Sequence, residues 1–159
     1  MSLEPFETAE AHDDLTVQQL SVFLENRVGQ LLQLTRLLDQ TDIHILAVSV
    51  VNSVDCAVIR MIVDQPDHAA SLFREHRFGV SNSELLVVSL PPGKRALLRI
   101  WGALMAGEVN VIYTYPLLVR PYGSPAVAIQ TDNSEMGIKV LQSKNFEVLS
   151  QSDLLMPGI

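Results

Sequence analysis

A short segment that joins a predicted strand to a predicted helix carries the residues with the clearest chemical potential. It reads LSVFLENRVGQL over residues 20–31. Asn26 is of a type that caps helices, and Gly29 has no Cβ, so a ligand can approach the first helical turn closely. The N–H groups and partial positive charge of a helix N-terminus favour a carboxylate. The same residues also suit an ordinary strand-to-helix turn, so both interpretations stand on local sequence alone.

Residues for catalysis or metal binding are not grouped in the sequence. The four histidines, which are His12, His44, His68 and His76, show no metal-ligand spacing with acidic residues. No serine lies in a Gly-x-Ser-x-Gly motif, and Cys56 is the only cysteine, which excludes an intrachain disulfide and a thiolate metal cluster. We therefore expect no catalytic residues, no metal, no cofactor and no enzyme activity.

Composition limits the partners that this chain can have. Its 159 residues are 48% hydrophobic and 18% charged, with a formal net charge of -7. An acidic chain is a poor match for nucleic-acid phosphates or anionic lipid. No uninterrupted apolar stretch reaches the roughly 20 residues of a membrane span, and the acidic first 14 residues lack a signal-peptide core. We expect a soluble, cytoplasmic protein that binds neither nucleic acid nor membrane.

A diverged internal repeat organises the chain. The segment DIHI at 42–45 is answered by EVNV at 108–111, and 109 minus 43 gives an offset of 66. Further on, Phe78 is answered by Phe146, an offset of 68. We place the two extra residues in the Pro/Gly-rich turn RPYGSP at 120–125, because surface turns tolerate insertions.

Hydrophobic periodicity predicts the same order of elements in both repeats. The first has strands at 16–24, 43–51, 54–63 and 78–81, with helices at 28–40 and 66–77. The second has strands at 84–90, 109–119, 126–131 and 146–151, with helices at 95–106 and from 133, where Asp132 and Glu135 resemble a capping box. Residues 152–159 are expected to be loose.

This βαββαβ order, found twice, predicts an α+β fold of two ferredoxin-like units packed side by side. Right-handed crossovers place both helices of a unit on one face of an antiparallel sheet. The predicted boundaries are an acidic tail at 1–14, a first unit at 15–83, a second unit at 84–155 and a short tail at 156–159. Small cores with open sheet edges also favour a homodimer.

The loop and the following strand resemble the ACT domain family. The resemblance rests on FLENRVGQL at 23–31 and TDIHI at 41–45, and it extends over roughly residues 16–155. Within that family the chain is most similar to stand-alone tandem ACT proteins. The resemblance implies a regulatory protein that binds a free amino acid or related metabolite between ACT units.

The family pattern also implies the ligand-binding residues. Six belong to the loop: Asn26, Arg27, Val28, Gly29, Gln30 and Leu31. Five belong to the starts of the second strands: His44, Ile45, Asn110, Val111 and Ile112. Because Arg95 stands where the pattern has a glycine in the second loop, we expect the first loop to be the better site. Alternatively, the chain is a regulatory subunit of an amino-acid biosynthetic enzyme, such as the acetolactate synthase small subunit.

Overall fold

The computed structural model describes residues 15–25 and 27–156. The predicted acidic tail at 1–14, the cap residue Asn26 and the last three residues of the predicted C-terminal tail lie outside this range. None of the helices in the described ranges is long and apolar enough to cross a membrane.

The order of the predicted elements is confirmed. The strands are β1 (Val17–Leu24), β2 (Ile45–Asn52), β3 (Ala57–Val63), β4 (Gly79–Ser89), β5 (Val111–Pro116), β6 (Ala126–Thr131) and β7 (Val148–Leu149). The helices are α1 (Arg27–Asp39), α2 (Pro66–Glu75), α3 (Ala96–Ala106) and α4 (Ser134–Ser143). Short 3-10 turns cover Pro121–Gly123 and Ser152–Leu155.

Strand β4 corrects the prediction of two separate strands at 78–81 and 84–90. It runs without a break for 11 residues. Its first part, 79–85, pairs with β1, and its last part, 86–89, pairs with β6. Ser81, Asn82 and Ser83 favour turns when taken alone, but their pairing with β1 keeps them extended. The two units therefore share one strand.

The sheet order follows from that shared strand. Hydrogen-bonded neighbours run β2-β3-β1-β4-β6-β5, and β7 also pairs with β4. The ends of this order meet, because Ala47 of β2 bridges Leu117 and the N–H of Leu118 donates to the Leu46 carbonyl at 2.7 Å. The sheet is thus curled, and its two halves contact each other directly.

Three buried clusters define the layers of the molecule. One lies between the first half of the sheet and helices α1 and α2, and another lies between the second half and helices α3 and α4. The third lies between the two helix-free sheet faces and includes Leu85 and Val87 of β4. Neighbouring Leu86 and Val88 point to the second helix layer. The molecule therefore has helices outside and two sheet halves inside.

Two local predictions at the second unit are wrong. Helix α4 is capped by Asn133, whose side chain accepts the N–H of Met136 at 3.0 Å, rather than by Asp132. Asp132 instead accepts the backbone N–H of Asn110. In the segment expected to be loose, residues 152–155 form a 3-10 turn, and Leu154 is buried because it packs between the two sheet halves.

Candidate ligand-binding site

The predicted binding loop lies where β1 ends and α1 begins. Asn26 and the side chain of Arg27 lie outside the described residues. The other four predicted loop residues are at or near the surface: Val28 (83% exposed), Gly29, Gln30 and Leu31 (45% exposed). The first turn of α1 contains no acidic residue, so no carboxylate in that turn offsets the partial positive charge of the helix end. The loop forms an open, partly apolar surface.

Each of the two predicted strand-start groups makes the same pair of hydrogen bonds with an aspartate. His44 donates its backbone N–H to Oδ1 of Asp64 at 2.8 Å, and the N–H of Asp64 donates to the His44 carbonyl at 3.1 Å. Asn110 and Asp132 repeat these bonds at 2.9 and 3.1 Å. The pairs are offset by 66 (110 minus 44) and 68 (132 minus 64), as in the sequence repeat. The sequence repeat therefore appears in these hydrogen bonds as well as in the order of the secondary-structure elements.

The side chains of these groups have different surroundings. His44 is 77% exposed, and its Nδ1 lies 3.0 Å from Oδ2 of Asp64. Ile45 packs against the core of the first unit, and Val111 packs against the core of the second. Asn110 and Ile112 are exposed, Ile112 by 54%.

Sheet register separates the loop from the strand start of the same unit. Leu24, next to the loop, pairs with Ala57 of β3, whereas Ile45 pairs with Val63 of the same strand. The six residue-to-residue steps from 57 to 63 span about 20 Å at roughly 3.3 Å each. The second strand-start group lies at the start of β5, which is three strands from β1 in the sheet order. Within one chain, therefore, the loop and His44 lie at opposite ends of the first unit.

The second loop has its own geometry. It ends at Arg95, just before α3, and its Gly93 has φ of +119°, a conformation that glycine adopts readily. A cavity of about 240 Å³ lies beside it and is lined in part by Pro91, Pro92 and Glu147. Arg95 is exposed and is not part of that lining.

A larger cavity of about 500 Å³ lies between the two units. The first unit contributes His44, Leu46 and Asp64 to its walls, and the other wall residues are Val119, Arg120, Gly123, Leu154, Leu155 and Met156. A cavity of this size is typical of small-molecule sites, which combine apolar walls with a few polar groups. We call it the junction cavity.

Of the residues that line the junction cavity, only His44 is among the predicted ligand-binding residues. Asp64 and Arg120 are not among the predicted site residues: Asp64 lies between the predicted strand at 54–63 and the predicted helix at 66–77, and Arg120 lies in the predicted turn at 120–125. The sequence repeat does indicate Asp64, because Asp64 and Asp132 are equivalent positions at the 68-residue offset. No comparable signal marks Arg120.

A contact between two loops holds one wall of the junction cavity. The hydroxyl of Tyr122 donates to Oδ1 of Asp153 at 2.5 Å, and the Tyr122 backbone N–H donates to the Met156 carbonyl at 3.3 Å. Tyr122 has φ of 54°, in the left-handed region that non-glycine residues rarely adopt. We call this contact the tyrosine latch. It ties the connection between β5 and β6 to the C-terminal 3-10 turn.

The tyrosine latch is expected to give a pH-dependent stability. The Tyr122 hydroxyl, with further help from Ser150, lowers the pKa of Asp153, and the same bond raises the pKa of Tyr122. A carboxyl whose folded pKa is lowered contributes stability above its unfolded pKa, near pH 4, and loses it as the pH falls through the folded value. Because the folded pKa of Tyr122 is raised, its contribution to stability is present below the unfolded tyrosine pKa, about 10, and is lost as the pH rises through the folded value.

Tyr122→Phe should therefore raise the pKa of Asp153 toward its ordinary value, as measured by carboxyl-carbon NMR titration. The stability difference from wild type should be present between about pH 5 and 9 and should shrink below pH 4. Ser152→Ala, which removes a nearby hydroxyl not bonded to Asp153, is the control. An unchanged Asp153 pKa in Tyr122→Phe would contradict the role of the latch.

A buried polar network joins the helix-free faces of the two sheet halves. Gln19 is fully buried, and its Nε2 donates to Oγ of Ser83 at 3.0 Å and to the Tyr113 hydroxyl at 2.7 Å. Its Oε1 accepts the Tyr115 hydroxyl at 2.5 Å. Burial raises the pKa of Tyr115, with a further contribution from Tyr113. The Arg60 guanidinium lies 4.1 Å from the Tyr113 ring centroid.

Similarity to known proteins extends over nearly all of the described chain. A family model described as an ACT domain pair matches residues 15–156. The solved structure of protein BT0572 from Bacteroides thetaiotaomicron is 31% identical with a TM-score of 0.81, and the match covers 88% of this chain and 96% of that chain.

A second solved structure is similar in fold only. The ligand-free regulatory subunit of aspartate kinase from Thermus thermophilus is 11% identical with a TM-score of 0.56, and the match covers 82% of this chain and 93% of that chain. No curated protein matches the sequence.

Proposed function

Because the chain belongs to the family of ACT domain pairs, whose domains are small-molecule-binding regulatory domains, we propose that it is an amino-acid-binding regulator with no catalytic activity of its own. The observation that carries the proposal is the exposed first turn of α1 in a chain of this family. That turn presents Gly29 beside apolar Val28 and Leu31, and it contains no acidic residue. The carboxylate of an amino acid would be favoured at this helix end, with its side chain against the apolar surface.

We also propose that a second copy of the chain completes this site. The loop lies about 20 Å from the strand start of its own unit, as the β3 register indicates. Exposed apolar side chains surround the loop end of the first unit: Val28, Leu31 and Leu32 on α1, and Val50, Val51 and Val54 near the β2–β3 hairpin. Exposed apolar patches of this kind are typical of protein interfaces. A homodimer would bring Asn110 and Ile112 of a partner to the loop.

Ligand binding would then act by favouring one arrangement of the units. A ligand that contacts two units stabilises the arrangement in which both contacts are made, and this shifts the population of the dimer. The regulated protein is expected to be an enzyme of amino-acid metabolism. In the alternative, where the chain is a permanent subunit of such an enzyme, a catalytic subunit should co-purify with it.

A thermal-shift screen of the twenty amino acids tests the proposal. A ligand at one hundred times its Kd stabilises the folded state by about 2.7 kcal/mol, which corresponds to a shift of roughly 5–10 °C for a chain of this size. Gly29→Val should reduce the shift, because its branched side chain would occupy the space of a ligand bound at the loop. Gly102→Val is the matched control, since a Cβ at that helical glycine meets no atom within 4 Å.

Two results would count against the proposal. One is the absence of a thermal shift with every amino acid. The other is an equal thermal shift in Gly29→Val and in Gly102→Val, which would show that the ligand does not bind at the loop. Light scattering of the wild-type chain with and without the active amino acid then reports whether a dimer forms.

A further inference from the structure

We propose that the junction cavity is a second small-molecule site, separate from the loop, and that it binds an α-amino acid with an aliphatic side chain. The ammonium group of the ligand would lie at Asp64, its carboxylate at Arg120, and its side chain against Leu46, Leu154 and Leu155. This site lies within one chain and needs no second copy. Its existence does not depend on the loop site of the proposed function.

Opposite charges on the cavity walls match the two charges of an amino acid. Asp64 has a side chain only 18% exposed, and its oxygens accept one backbone N–H and contact one ring nitrogen of His44. A carboxylate has about four acceptor positions, so it retains capacity for an ammonium group. Arg120 is exposed and makes no ion pair among the described residues. Its planar guanidinium is suited to bind a carboxylate through two parallel hydrogen bonds.

The rest of the wall is apolar. Leu46 and Leu154 are buried, whereas Leu155 and Met156 remain 55% and 47% exposed on the rim. An aliphatic side chain placed among them would remove apolar surface from water, which favours binding. A charged or strongly polar side chain would lose hydration there without a matching partner. These walls therefore favour leucine-like ligands over acidic ones.

The position of the cavity gives binding a structural consequence. It lies beside the point where β2 and the chain after β5 meet, at the bridge between Ala47 and Leu117. Its walls come from the first unit, from the β5–β6 connection and from the C-terminal turn, which the tyrosine latch joins. A ligand that touches all three walls would stabilise this junction and hold the two ends of the curled sheet together.

Calorimetry with leucine and two analogues tests the charge pairing. Leucinamide lacks the carboxylate, and 4-methyl-2-oxopentanoate lacks the ammonium group. We expect each analogue to bind at least tenfold more weakly than leucine to the wild-type chain. Arg120→Gln should weaken leucine binding by at least tenfold and should remove the discrimination between leucine and leucinamide. Arg74→Gln, at an exposed arginine of α2, is the matched control and should bind as wild type.

Methionine-methyl NMR shows where leucine binds. In methionine-methyl NMR spectra, leucine should shift the resonance of Met156 in the wild-type chain and in Gly29→Val. Leu155→Glu, an exposed substitution on the cavity rim, should weaken leucine binding without loss of folding. An unmoved Met156 resonance, or equal leucine affinities of Arg120→Gln and Arg74→Gln, would overturn the site. Leucine binding lost in Gly29→Val but kept in Arg120→Gln would overturn it too, while supporting the loop proposal.

Discussion

Gln19→Ala should lower the free energy of unfolding by about 3 kcal/mol. Gln19 is fully buried and supplies hydrogen bonds to Ser83, Tyr113 and Tyr115. Its removal leaves the buried Tyr115 hydroxyl without its partner, at about 1–3 kcal/mol for such a group, and it also leaves a void. Urea denaturation followed by circular dichroism measures the change.

Gln18→Ala is the matched control for this substitution. Gln18 is exposed, and it donates its backbone N–H, which alanine retains, to Oε1 of Gln151. A double-mutant cycle with Tyr115→Phe should be non-additive, because both residues belong to one network. Equal losses from Gln18→Ala and Gln19→Ala would show that the network contributes little to stability.

Phe73→Ala should cost about 3–5 kcal/mol, the usual range for a fully buried phenylalanine. Phe73 lies in the core of the first unit, where its ring meets that of Phe78 edge to face at a centroid distance of 6.2 Å. The only tryptophan, Trp101, lies on α3 in the second unit. Because the units share β4, we expect the denaturation midpoint followed by Trp101 fluorescence to fall in this variant.

The comparison residue for Phe73 is Phe23, which is 41% exposed on β1. Phe23→Ala should cost less than half as much, since its ring buries less surface on folding. If Trp101 fluorescence keeps its wild-type midpoint in Phe73→Ala while circular dichroism shows an earlier transition, the units unfold independently, and the coupling through β4 is refuted.

Most elements could be predicted because the sequence pattern and the packing agree. Helix α2 begins at Pro66, and β6 matches its predicted bounds 126–131, since turn-forming residues and β-branched runs mark these segments clearly. The continuity of β4 between the predicted strands at 78–81 and 84–90 could not be predicted, because Asn82 and Ser83 have no strand preference of their own. Their extended conformation comes from β1, a partner distant in sequence.

The candidate site was less predictable than the fold. A loop motif marks residues 27–31 locally, so the sequence could indicate it, and the binding role of those residues stays a prediction. The junction cavity depends on the curl of the sheet, which brings Asp64 and Arg120 to one cavity across 56 residues of sequence (120 minus 64). Nothing in the spacing of single residues encodes that curl. The tyrosine latch, between Tyr122 and Asp153, is hidden for the same reason.

Strand β4 also bears on how such a chain can change over evolutionary time. Four consecutive residues, Leu85 to Val88, are buried on alternating faces, so each face must stay compatible with a different neighbour. Neither half can be exchanged for a foreign domain, or expressed as a separate fragment, without exposing an apolar face that the other half covers. A duplicated gene fused in this way evolves as one inseparable unit, and substitutions in either copy are selected for their effect on both.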